Sequence, residues 1–331
     1  MKNMINRSHI EGLLYQHSLE KKVSGPNATN PGVEFISGNI DIATDYAITN
    51  IVTVHFTYVT ATTSKGNPNA TFTTLMNIIN GTYGSVMGNG EDKAVKLRID
   101  SAFGLNEFYS DRNGTEELVS VKRNEGGFVH VVSALDENED ARNTFEVDII
   151  ITNVRHVDED PEKGITEKAI VKGAIFDFRK SLLPIELTAT DPGAISYYEG
   201  LEASAKNQVF TKLKGQQISE TIVRKIEEVS AFGAPSVREV KNTRKDYVIT
   251  WAAGEPYAWD DEGSILATEL REAMTARETN LATIKKRQEE YKASRNNRNN
   301  AIKPAVTAAA SVQTGSFNFM KGGCKIWLSI Y

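Results

Sequence analysis

Basic and aromatic side chains are interleaved along one stretch of this chain, Lys93 to Leu135, in a pattern suited to an extended polyanion. Arg98, Phe103, Phe108, Tyr109, Arg112, Lys122, Arg123 and Phe128 fall within it. A second group, Lys172, Phe176, Phe178, Arg179 and Lys180, repeats the mixture around AIFDFRK. An aromatic ring offers a π-face on which a base stacks, and a neighbouring cation neutralises phosphate without reading sequence. Each stacked base contributes about 1–3 kcal/mol, so three or four exposed rings would suffice for useful affinity. The competing expectation for each ring is burial in a core, and for each cation an ordinary solvated face.

Catalytic constellations are harder to assemble. The five histidines (His9, His17, His55, His130, His156) have no metal-ligand spacing, and there is no G-x-S-x-G elbow. A single cysteine, Cys324, can build neither a disulfide framework nor a thiolate zinc site. Asp41, Asp45, Asp100, Glu107 and Asp111 could converge as carboxylates around a metal for phosphodiester cleavage, but acids at strand ends are usually solvated. The glycine-rich run from Gly81 to Gly90 lacks the Gly-Lys-Ser/Thr ending of a phosphate cradle and reads as a loop. No catalytic residue, metal ligand or cofactor is therefore expected, and binding rather than turnover is the expectation.

The elements that would position these residues are mostly strands. VKLRI, LVSV and FVHVV alternate with period two, and Asn113-Gly114 and Asn124 to Gly127 supply turn residues between them. The clearest strand is NIVTVHFTYVTATT, in which Val52, Val54, Phe56 and Tyr58 share a face read as core. VEFISGNIDIAT carries Gly38 as a bulge or bend. TFEVDIIITNVRHV, KAIVKGAIF and the runs from Gln208 to Ala253 add further strands. Helical spacing of Leu75, Met76 and Ile79 predicts a short helix, and DPGAISYYEGL predicts another with proline in its first turn. Ser8 with Glu11 resembles a capping box, so residues 8–22 read as a helix. From Ser264 a long helix is predicted, with Leu270, Met274, Arg277, Leu281, Ile284, Gln288 and Tyr291 along one seam. That seam would lie across the protein's own body or pair with a second copy, giving a homo-oligomer through 264–294.

The expected fold class is mainly β with helical additions, a β-rich α+β protein. Its core would be an antiparallel OB-like barrel with extra strands and a long C-terminal helix, with a sandwich as the runner-up. The expected divisions are a helical arm over 1–32, the barrel over 33–190, a β-rich extension over 191–254, a helix over 255–295 and a flexible tail over 296–331. The last residues, FNFMKGGCKIWLSIY, would form an apolar tip able to dock a replication partner. Composition agrees with a globular body: 331 residues, 40% hydrophobic, 24% charged, with a net charge of −5. An acidic sum excludes a blanket of positive charge but not a basic groove. No secretory signal and no run long enough for a membrane span is found, so a cytoplasmic protein is expected.

Taken together, GNIDIATD, TVHFTYVTATTSKG, LVSVKRNEGGFVHVV and AIFDFRKSLLP resemble phage-encoded OB-fold single-stranded-DNA-binding proteins in style and strand order, over roughly residues 30 to 255. The resemblance implies non-sequence-specific binding of single-stranded DNA during phage replication or recombination, in the cytoplasm of a bacterial host. Such proteins often end in a strongly acidic tail, whereas here the tail from Arg295 is asparagine-rich and basic. A virion or assembly protein that forms oligomers is the alternative reading, and a metal-dependent nuclease is the second.

Overall fold

The computed structural model describes residues 4–112, 115–160, 165–228, 236–259 and 265–301; side chains at 111–112, 220–244 and 295–301 lie outside the description. The chain divides into two units, 1–286 and 287–331. Of the second, the continuation of the last helix to Ala301 is described. The Asn113-Gly114 turn, Ser264 at the expected start of the long helix, and the apolar tip from Phe317 fall outside the described residues.

The fold is mainly β. Strands β1 (Asn6–His17), β2 (Glu20–Val23), β3 (Glu34–Ala43) and β4 (Ile51–Thr60) come first, followed by helices α1 (Ala70–Ile79) and α2 (Val86–Asn89). Then come β5 (Lys96–Arg112), β6 (Thr115–Val131), β7 (Asn143–Val157), β8 (Lys168–Phe176), β9 (Leu182–Ala189) and α3 (Pro192–Gly200). Strands β10 (Val209–Glu228) and β11 (Ser236–Ala252) and helix α4 (Ala267–Ala301) complete the order.

Strand pairing forms two circuits. In the first, β1 pairs with β3, β3 with β4, β4 with β6 in parallel, β6 with β5, and β5 returns to β1. In the second, β7 pairs with β8, β8 with β9, β9 with β11 in parallel, β11 with β10, and β10 returns to β7. We call these ring one and ring two. They are joined where β1 runs antiparallel to β7. Residues beyond 190 therefore complete the pairing of β7 to β9, where an appended extension was expected.

Residues 8–22, expected to be helical, form β1 and β2 instead. Ile10 and Leu14 satisfy either period, and the three partners available to β1 decide for a strand. Ser8 and Glu11 make no capping box: Ser8 is buried beside Gln217, and Glu11 accepts the Asp136 N–H at 2.6 Å. Gly12 is required where β1 crosses Ala43, because a Cβ there would collide with the Ala43 carbonyl. The central stretch also differs from expectation. It forms two long strands rather than three, and residues 124–127 are a bulge within β6, with Gly126 at φ +60° and Gly127 at φ +112°.

Each ring has its own core. Ring one buries Ile10, Leu14, Ile40, Val52, Val54, Phe56 and Ile99, with Leu75 and Ile78 of α1 sealing one end. Ring two buries Val147, Ile149, Val171, Leu187, Leu213 and Ile249, with Ile195 and Tyr198 of α3. Both helices form where their caps allow: Asn69 Oδ1 accepts the Thr71 N–H at 3.1 Å, and Asp191 Oδ1 accepts the Ala194 N–H at 3.1 Å. Tyr58, read as core, is exposed instead and packs on Phe35 with centroids 4.5 Å apart. It lies within the register shift where Gly38 pairs with Phe56 but Ile36 with Val59, which ends the strict alternation of β4.

A buried polar hub locks the rings together. Gln217 on β10 is 4% exposed; its Oε1 accepts from Asn124 of β6 at 2.9 Å and its Nε2 donates to Ser8 of β1. Its carbonyl accepts from Asn143 of β7 and, at 3.3 Å, from Asn50. Helix α4 lies on the body rather than standing free. Leu270 and Ala273 pack with Ile150, Phe176 and Phe210, and Asn280 donates to Ser181 at 3.4 Å. Arg277 forks onto both carboxylate oxygens of Glu107. Among the described residues no helix is long and apolar enough to cross a membrane.

Candidate nucleic-acid interface

The basic and aromatic residues singled out by sequence do not form one platform. Phe103 and Phe176 are buried, so neither presents a face to solvent. Phe103 follows the bulge in the β5–β6 pairing and turns into ring two, 5.4 Å from Phe145 and 5.0 Å from Tyr247. Phe176 ends β8 beneath Ile265 and Ala273. Both were stacking candidates, and both are core. Their alternation was legible, but the neighbours that cover them come from distant strands and from α4.

Several cations are already engaged. Lys122 Nζ donates to the Glu186 carbonyl at 2.8 Å and lies 4.7 Å from the Tyr247 ring centroid. Burial pushes its ammonium below the ordinary lysine value, while Glu186 and Asp246 pull it the other way. Burial likewise pushes the Tyr247 hydroxyl up to about 12. Lys172 pairs with the Glu186 carboxylate at 2.6 Å. Arg123 Nε donates to Glu125 at 2.6 Å. Arg98 Nε stands 3.6 Å from Asp100, outside hydrogen-bond reach. Engagement of this kind orients a cation and reduces what it can offer a phosphate.

Three exposed places remain from the sequence-based set. At the turn between β8 and β9, Phe178 is 87% exposed, with the Arg179 guanidinium 5.1 Å from its ring. Asp177 holds this turn by accepting the Arg179 and Ser181 N–H groups at 2.8 and 2.7 Å, and Lys180 adopts φ +64° within it. Along the β5–β6 hairpin, Phe108 is exposed, and Tyr109 sits 5.5 Å from the Lys285 ammonium. Arg112 ends β5, and its side chain lies outside the described residues. On β6, Phe128 is 69% exposed directly opposite Asp100.

A sequence model of the YorF family matches residues 5–290, a span that takes in both rings and enters α4. The chain belongs to the YorF family. No curated protein matches it in sequence. Among solved structures, a deletion variant of the single-stranded DNA binding protein from Thermus aquaticus is similar, at a TM-score of 0.42 and 9% sequence identity. That similarity covers 77% of this chain and 96% of the other. At that identity and score no property is carried from that protein to this one.

In this YorF-family chain the structure also exposes residues that sequence reasoning passed over. Trp251 on β11 is 46% exposed, with Lys214 of β10 5.1 Å from its ring. It borders a cavity of about 310 Å³ with Tyr197 and Tyr198 on one side, and on the other an open groove of about 530 Å³ that contains Arg7, His9, Asp100 and Glu146. The signal that could have found it is the facing of Lys214 and Trp251, which follows only once the register of β10 on β11 is known. The acids considered for metal-assisted cleavage are dispersed. Asp41 accepts from Gln16 and Thr53, Asp45 caps the 45–50 turn, Asp100 faces His9 and Glu107 is held by Arg277. The Asp111 side chain lies outside the described residues, and no metal-holding cluster occurs among the described residues.

Proposed function

We propose that this chain binds single-stranded DNA without reading its sequence, as a binding protein rather than an enzyme. Its setting would be phage DNA replication or recombination in the cytoplasm of a bacterial host. One observation carries the reading: large aromatic rings stand in solvent with a cation against their faces, at Phe178 with Arg179 and at Trp251 with Lys214. A folding chain gains by burying such rings. Left exposed beside positive charge, they make the surface on which bases stack and phosphates are neutralised.

The strand order supports this. If the strands of each ring are numbered one to five along the chain, the pairing runs one–two–three–five–four–one, with a helix between three and four. We read each circuit as an OB-type barrel, spanning 6–131 and 143–252, so that the chain is a tandem of two such modules. This is a fold repeatedly used for oligonucleotides, although fold by itself assigns no function. The seam of α4 bears on an oligomeric assembly role: Leu270 is spent on ring two beside Ala273, which leaves Met274 as the seam's exposed large apolar residue before Lys286 among the described residues.

The test is titration of the full chain with labelled oligo-dT at low and then moderate salt, with duplex DNA as control. Saturable binding that weakens steeply with salt and prefers the single strand is expected. Absence of binding at low salt by folded protein would sink the reading, and large particles in light scattering without DNA would favour assembly.

A further inference from the structure

The two rings repeat one feature. In ring one, the fifth strand β6 carries one extra residue opposite β5, since Asp100 pairs with Phe128 but Ala102 pairs with Glu125. In ring two, the fifth strand β11 does the same opposite β10, since Lys214 pairs with Trp251 but Gly215 pairs with Ile249. Directly after each bulge stands an exposed aromatic, Phe128 in one ring and Trp251 in the other. Both bulges depend on glycine. A Cβ on Gly127 would collide with the Asp100 carbonyl, and one on Gly215 with the Val248 carbonyl and the Phe145 ring. Bulges of this kind re-aim side chains.

The strands between the two rings are hydrogen-bonded neighbours, so the aromatics lie on one continuous face. The register runs from Trp251 to Lys214 on β10, to Glu146 on β7 and to Arg7 on β1. From β1 it continues through His9 to Asp100 on β5 and on to Phe128. Five strand steps of about 4.8 Å set the aromatics roughly 24 Å apart along the sheet. Arg7 and Asp100 line both the 530 Å³ groove beside Trp251 and the hollow beneath Phe128, which makes the two depressions continuous.

Charge selects the occupant. Glu146 is paired with Lys212 at 3.4 Å, and Asp100 faces His9 at 3.2 Å and Arg98 at 3.6 Å. Arg7 and Lys214 have no carboxylate within ion-pair distance among the described residues. The groove thus offers Arg7 and Lys214 between two exposed rings, while Glu146 is turned to Lys212 and Asp100 to His9.

Resting on the single-strand reading above, we infer that this groove across the seam of the rings is a single-stranded-DNA site. Bases stack on Phe128 and Trp251, and the intervening phosphates lie on Arg7 and Lys214. The site belongs to neither ring alone, so one strand would be held across both.

The experiment uses the full chain and fluorescently labelled oligo-dT. Phe128→Ala and Trp251→Ala are each expected to weaken binding by about 5- to 160-fold, the loss of one stacked base. Trp251→Phe keeps a π-face and restores most of the affinity. Arg7→Ala lowers the slope of log affinity against log salt by about one. Photocrosslinking of bromodeoxyuridine oligonucleotides to the wild-type chain, mapped by mass spectrometry, gives a readout independent of any variant's folding; adducts at Phe128 and Trp251 are expected. If the wild type binds but the variants bind equally well, or adducts map only to Phe178 or Phe108, this site is overturned and the single-strand reading stands. If the wild type does not bind, both fall.

Discussion

Ring one fills its core with aliphatic side chains, Ile10, Leu14, Ile40, Val54 and Ile99 among them, around the buried ring of Phe56. Ring two instead gathers Phe103, Phe145 and Tyr247 where it meets ring one, with ring planes tilted or edge-on to one another. Their outer surfaces differ as well. Helix α4 gives ring two an apolar cover at Ile150, Phe176 and Phe210, and the described part of its helix reaches ring one through charge, Arg277 on Glu107 and Lys285 on Glu116. The contrast is visible along β7 alone. Of its outward residues, Ile150 is covered, Asp148 is tied to Ile5 N–H at 2.8 Å and Tyr257 at 3.3 Å, and Glu146 opens onto the groove. One pairing order therefore serves two ends: an apolar lid closes half of a face, and the half without a lid is left open.

The comparison can be broken first at the aromatic seam. Phe145→Ala should destabilise ring two by about 3–5 kcal/mol, because it removes a buried ring that two others contact. Urea denaturation followed by fluorescence reads this, and a loss below 1 kcal/mol would mean the seam is not a packed core. The ionic attachment comes next. Arg277 and Glu107 have side chains only 14% and 5% exposed, so Arg277→Ala strands a buried carboxylate at a cost of about 3 kcal/mol. A double-mutant cycle with Glu107→Ala should show strong coupling; additive losses would make the contact incidental.

The smallest effect sharpens the contrast between the two covering helices. His156 of β7 bonds Glu199 of α3 at 2.6 Å, and this bond holds its imidazolium above the ordinary histidine range, with Asp158 and Glu167 adding to it. A raised pKa gives a stabilising contribution fully present below 6.5 and lost as pH rises through the folded value. Titration of the imidazole by NMR should show the upward shift, and Glu199→Gln should remove most of it. An unshifted titration would break the assignment of this contact.

Part of the fold was legible in local signals. Leu75, Met76 and Ile79 at helical spacing marked α1, and Pro192 in the first turn of DPGAISYYEGL marked α3; the caps at Asn69 and Asp191 act at the same places. The first strand was not legible, because Ile10, Leu13 and Leu14 also fit a helical face and Ser8 with Glu11 imitates a cap. Glycines 126 and 127 misled for a related reason: positive φ serves a reversing turn and a bulge alike. The candidate site was the least legible part. Alternation separates the two sides of a strand but does not say which side another element covers, so Phe103 and Phe128 looked equivalent. Only the register between distant strands distinguishes them, and it also brings Trp251 and Arg7 onto one face.

The hub at Gln217 bears on the order in which the chain can finish folding. Ser8 and Gln217 are 209 residues apart, and β1 has its place between β5 and β7. As the chain is synthesised, ring one can pair through β6 while the seam side of β1, including the Ser8 hydroxyl, still waits for later strands. Contacts of such long range are slow to form. Until β10 emerges, the half-made protein presents an unpaired strand edge to its surroundings, and this interval is when it is most exposed to wrong partners.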